Sequence, residues 1–229
     1  MCRTWQRLNP DAKIHVAYGG TAATFQALDW PDRSFIEDPR LRTRDHQRER
    51  QSYRGIMQAA VADLAGSATK HILMVECDVV PLQPGLVHYL KERAGMENAD
   101  VFGVKLRRAD GTSHPHFLAH QSHPQFNTWL EQSIREDQGV VLMTLGCLTW
   151  WTWEAFCATA MAPEPFPVYL ELAMPTTAHQ LGFRVRNLPE FEADIEPQGE
   201  LASILEQRRS QGRWVIHPCK TIWQDVEMI

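Results

Sequence analysis

Two carboxylates one residue apart, Glu76 and Asp78, lie within the most strand-like run of the chain, residues 71–80 (HILMVECDVV). On an extended chain, residues two apart face the same way, so both acids would point to one side where a buried strand ends. Like charges held that close raise each other's pKa unless a cation stands between them. A hard divalent ion such as Mg2+ or Mn2+, bound through oxygens and shared with a diphosphate, resolves the conflict. The same three-residue pattern also occurs at solvated strand ends that merely carry two surface acids.

Other residues invite the same weighing. Residues 40–54 (RLRTRDHQRERQSYR) hold six arginines against two acids, a local anion site within an acidic chain. One well-placed guanidinium grips phosphate oxygens bidentately, so most of that run reads as solvated helix face. His114, His116, His120 and His123 crowd into ten residues. Their order follows no zinc spacing, and residues 114–125 read as a Pro- and His-rich loop. Trp150, Trp151 and Trp153 offer flat faces for a sugar ring, or for packing a strand-to-helix corner.

The elements that must position these residues alternate. Short apolar runs at 13–18, 33–36, 71–80, 100–106, 140–145 and 183–187 read as strands covered on both faces. Helical patterns lie between and after them, at 21–28, 45–64, 84–94, 152–160, 169–181 and 201–210. Strands alternating with helices predict an α/β domain with a mainly parallel central sheet and helices on both faces. In such sheets the chemistry gathers at the carboxyl ends of the strands.

Composition bounds the rest. The 229 residues, 44% apolar and 22% charged, fit one compact domain spanning 1–229 and exclude disorder or a disulfide-packed miniprotein. A net charge of -5 argues against a nucleic-acid binder. Cys2, Cys77, Cys147, Cys157 and Cys219 are scattered without a CxxC pair, which suits buried thiols in a reducing compartment. No secretory h-region and no membrane-length apolar run is visible, so the expectation is a soluble, cytoplasmic protein.

The phrase ATKHILMVECDVVP resembles the metal motif of the GT-A-type nucleotide-sugar glycosyltransferases, an acid-x-acid at the end of a central strand. The preceding QRERQSYRGIMQAAVADLAG is similar to that family's helix before the motif, with an arginine near the diphosphate. Residues 213–220 (RWVIHPCK) resemble the family's late W-x-x-H-P-x-K segment. The resemblance implies that His217 completes the metal shell with Glu76 and Asp78, with Mn2+ or Mg2+ as the ion, and that Lys220 contacts the diphosphate.

More residues follow from the same resemblance. IHVAYGG and FIEDPRLR look like the family's second and third strands, which puts Tyr18 and Asp38 on the nucleotide, with Arg54 and less directly Arg50 on the phosphates. Asp38 also fits a plain Asx-Pro turn. GCLTWWTWEAF resembles the donor-sugar pocket, implying Gly146, Trp150 and Trp151 as sugar contacts. PVYLELAMPT falls where inverting members place a catalytic acid, implying Glu171 as base, with Asp137 and Glu164 as competitors. The family's first strand has no counterpart here, so the expected fold is a GT-A domain trimmed at its N-terminal edge, with an open edge suited to homodimerisation. The implied function is transfer of a sugar from a nucleotide-diphosphate sugar, a UDP-sugar favoured, to an acceptor hydroxyl. A non-catalytic module that binds a nucleotide or partner is the alternative. A metal-dependent phosphodiesterase or nuclease fits the acids but would need more ligands at strand ends.

Overall fold

A computed structural model describes residues 1–42, 52–110, 112–113, 115–133, 140–162, 168–195 and 201–219. The chain opens with helix α1 (Cys2–Leu8), strand β1 (Val16–Tyr18), helix α2 (Ala22–Ala27) and strand β2 (Arg33–Phe35). A 3-10 turn (Pro39–Arg42) precedes α3 (Ser52–Leu64), β3 (His71–Val75), β4 (Val80–Pro81) and α4 (Leu86–Glu97). Then come β5 (Val101–Arg108), α5 (Pro115–His120), α6 (Pro124–Ser133), β6 (Leu142–Thr152) and α7 (Trp153–Met161). The last are α8 (Leu170–Gln180), β7 (Val185–Asn187), a 3-10 segment (Pro189–Asp194), α9 (Leu201–Ser210) and β8 (Val215–Ile216).

The central sheet has the order β3-β6-β5-β7. It is mixed, which corrects the expectation of a mainly parallel sheet. Strand β6 runs antiparallel to both of its neighbours, and only β5 and β7 pair in parallel. A strand buried on both faces is apolar throughout whichever way it runs, so its sequence carries little trace of its direction. Strands β1 and β2 pair in parallel in a sheet of their own, and β4 pairs with β8 antiparallel.

Side chains alternate across the central sheet as strand geometry requires. Leu73, Val75, Phe102, Val104, Leu148 and Trp150 pack on one face with Trp5 of α1 and with Leu86 and Leu90 of α4. Ile72, Met74, Val101 and Trp151 pack on the other with Met57 of α3, Phe156 of α7 and Met174 of α8. Helices therefore cover both faces, as an α/β chain demands. A third cluster joins Phe117, Phe126 and Trp129 of α5 and α6 to Met143 and Leu172. Among the described residues no helix is long and apolar enough to cross a membrane.

Local chemistry sets several element ends. Thr21 and Thr152 each accept an N–H from three residues on, capping α2 and α7. Asn98 ends α4 in the left-handed region with φ 51°. Three expectations need revision. The run 71–80 is broken into β3 and β4 by a turn. The stretch 146–152 is the second half of β6 rather than a segment following a strand. The His-rich residues expected as a loop contain α5 and the start of α6, because Phe117, Phe126 and Trp129 give them an apolar face to bury.

Candidate metal centre

Strand β3 ends at Val75, but the ladder extends one residue further, since the Glu76 N–H donates to the Cys147 carbonyl at 2.9 Å. The chain then reverses, and the Val79 N–H returns to the Glu76 carbonyl at 3.1 Å. Glu76 and Asp78 thus converge through a tight turn, not through the alternation of an extended strand. The third member arrives from far along the chain. Strand β8 pairs with β4 in the register Val80–Ile216 and Pro81–Val215, so His217 emerges beside Val79. The Cys219 N–H, 2.8 Å from the Asp78 carbonyl, closes the same corner.

His217 Nε2 stands 3.3 Å from Asp78 Oδ1 and 3.8 Å from Glu76 Oε2. One ligand atom from each of the three residues lies within 4.8 Å of the others, the only such grouping of His, Cys, Asp and Glu among the described residues. All three are half-buried, which shields their charges without sealing them off. Tyr53, on the first turn of α3, donates its hydroxyl to Glu76 Oε1 at 3.3 Å and leaves Oε2 towards His217.

Burial alone would push the His217 pKa down. Asp78, Cys147 and Glu76 outweigh it and hold the imidazole up to about 11. Free of metal, the centre is an imidazolium clasped between two carboxylates. A divalent cation can take the place of that proton, and the residues fit one. They supply two carboxylates and an imidazole, with one ligand atom of each close enough to share an ion. Oxygen donors suit Mg2+ or Mn2+, and the imidazole favours Mn2+.

Glu171, on the first turn of α8, accepts the Gly146 N–H at 3.3 Å and lies 3.6 Å from His116 Nε2. His116 packs tilted against Tyr169 with ring centroids 4.2 Å apart. A Cβ at Gly146 would press on the Leu170 side chain at the start of α8, which would have to shift. The charges of Glu171 and Glu76 both act on the Cys147 thiol, whose pKa is raised chiefly by burial. Gly146 and Cys147, consecutive on β6, thereby join the expected base to the metal centre.

The other expected site residues sit elsewhere. Tyr18, at the carboxyl end of β1, packs over Gly20 and stacks with Phe25. Asp38, just beyond β2, is held by Arg40, which donates its own N–H and its guanidinium to the carboxylate. That contact draws the Asp38 pKa below the usual carboxylate range. Arg54 donates to the carbonyls of Ala160 and Ala162 at the end of α7, where it ties α3 to that helix. Trp150 and Trp151 are each 1% exposed and lie on opposite faces of the sheet, as core residues and not as sugar platforms. Lys220, Arg50, Asp137, Glu164 and His114 lie outside the described residues.

Sequence reasoning missed Tyr53, Cys147 and Asp194. Tyr53 immediately precedes the singled-out Arg54, and Cys147 follows Gly146, so proximity was the one available signal. Asp194 gave none. It is 1% exposed, and burial pushes its carboxyl up to about 6. A scan of the chain against models of known protein families found no match, and a search of curated proteins found none either.

Proposed function

We propose that the chain is a metal-dependent glycosyltransferase of the GT-A type. It moves a sugar from a nucleotide-diphosphate sugar, a UDP-sugar favoured, to an acceptor hydroxyl. The observation that carries this reading is the convergence of Glu76, Asp78 and His217, two of them from one turn and the third from a distant strand. A solvated strand end has no need of the third.

Glu76, Asp78 and His217 would hold a divalent ion there, which would supply the charge that neutralises a departing diphosphate. Tyr53 steadies Glu76 through Oε1, so that Oε2 stays turned to the centre. Glu171 is the base. The Gly146 N–H fixes its Oε1 and leaves Oε2, on the His116 side, to take the proton of the acceptor hydroxyl. The new bond joins the acceptor oxygen to the anomeric carbon as the bond to the diphosphate oxygen breaks. Tyr18, Gly19, Gly20 and the Asp38–Arg40 pair, at the carboxyl ends of β1 and β2, form the nucleotide side, with Lys220 as a further diphosphate contact.

A non-catalytic module that binds a nucleotide or a partner is the second reading. Release of free sugar, or of UDP or GDP, from a panel of UDP- and GDP-sugars, with Mn2+ or EDTA, separates the two. The transferase reading expects Mn2+-dependent release that Asp78→Ala abolishes. Nucleotide binding with no turnover of any donor would favour the module.

A further inference from the structure

Asp194 contributes nothing to the ligand set, yet it is the one fully buried carboxylate among the described residues. It ends the 3-10 segment Pro189–Asp194, between the buried Phe191 and Ile195. From there it grips the segment that delivers His217 at two points. Its Oδ2 accepts the Trp214 N–H at 3.3 Å, and its main-chain oxygen accepts the His217 N–H at 3.1 Å. Arg213 Nε stands 3.6 Å from Oδ1. The other side of the same segment is held by the β4 pairing at Val80 and Pro81. Residues 214–217 are thus clamped between β4 and Asp194.

We infer that Asp194 is a positioning residue for the metal centre, setting the main chain so that the His217 imidazole meets Glu76 and Asp78. The inference rests on the proposed reading only in taking that trio to bind a divalent ion. A pairing of two residues on each strand is short, and a slip by one residue would present Ile216 or Pro218 in place of His217. A second anchor removes that freedom. A buried carboxylate, even with Arg213 beside it, is a poor source of stability, since a well-packed apolar residue is often as good or better. Its presence is explained by position. Groups that orient a metal-binding imidazole typically matter about 10–100-fold in metal affinity.

The test is calorimetric titration of Mn2+ into the full chain, with circular dichroism at the same temperature to verify the fold. Asp194→Ala is expected to weaken Mn2+ binding about tenfold or more. Asp194→Asn keeps an acceptor for the Trp214 N–H and removes the charge, and it is expected to bind within about threefold of wild type. In a His217→Ala background, Asp194→Ala should cause no further loss. Should Asp194→Ala not fold, Asp194→Leu fills similar volume without an acceptor and takes its place. Unchanged affinity in the Ala or Leu variant overturns the inference. So does an Asn variant as weak as Ala, which would make the carboxylate a distant charge, and so does an additive loss in the His217→Ala background. A wild type with no Mn2+ affinity would instead sink the reading of the trio itself.

Discussion

The imidazole of His217 lies 3.3 Å from the carboxylate of Asp78, although the strands that flank them pair at only two positions. One residue is therefore both the partner of the carboxylates and the proton that a cation must displace. His217 is held up to about 11 from an ordinary 6.5, so the folded chain keeps a proton that the unfolded chain gives up. That contribution is complete below pH 6.5 and is lost as pH rises towards 11. Urea denaturation in EDTA should show stability falling from pH 6.5 to 9, with a shallower fall for His217→Gln. Equal slopes would mean that His217 is not protonated between the carboxylates.

Mn2+ affinity should run the opposite way. Binding displaces the imidazolium proton, so affinity should rise by about tenfold per pH unit across neutral pH. Titrations in buffers of differing ionisation enthalpy should report about one proton released per ion. Affinity flat from pH 6.5 to 8.5 would contradict a centre that includes His217.

Trp150 belongs to the core, stacked on His71 at 4.9 Å and tilted against Phe102 at 5.9 Å. Trp150→Ala should cost about 3–5 kcal/mol in denaturant unfolding, the usual cost of emptying an aromatic site. Its folded fraction should still bind Mn2+ like wild type. A small stability loss with a large loss of sugar-nucleotide affinity would return Trp150 to the sugar site.

Arg54 ties α3 to the end of α7 through two carbonyls. Arg54→Met should therefore destabilise the fold by about 1–3 kcal/mol, the range for lost charged hydrogen bonds. UDP affinity of the folded variant should stay within about threefold of wild type, since less than 1 kcal/mol separates them at that ratio. A stable variant that no longer binds UDP would place Arg54 on the phosphates after all.

The contrast among these residues shows what a sequence can reveal. The convergence of Glu76, Asp78 and His217 was legible only through the resemblance of ATKHILMVECDVVP and RWVIHPCK to a known pair of motifs, since two acids one residue apart also occur at solvated strand ends. The helices over 201–210 and 169–181 were legible from periodicity. The tryptophans were not, because a flat apolar ring has the same signature in a core as under a sugar. Asp38 and Arg54 had a chemistry that fitted phosphate and nucleotide; the carbonyls ending α7 that Arg54 meets are a tertiary fact, whereas Arg40, two residues from Asp38, makes the local turn contact its Asx-Pro sequence allowed. The direction of β6 was hidden for a related reason, since burial on both faces erases the pattern that would betray it. Asp194 was invisible, because an acid among FEADIEP looks like surface until Phe191 is seen to bury the segment.

The most direct test is calorimetric titration of UDP and of GDP, with and without Mn2+, into wild type and Asp78→Ala. A nucleotide that binds only with Mn2+, and not to the variant, is the predicted result and would identify the donor class. Binding that ignores both the ion and Asp78, or no binding of either nucleotide, would contradict the account.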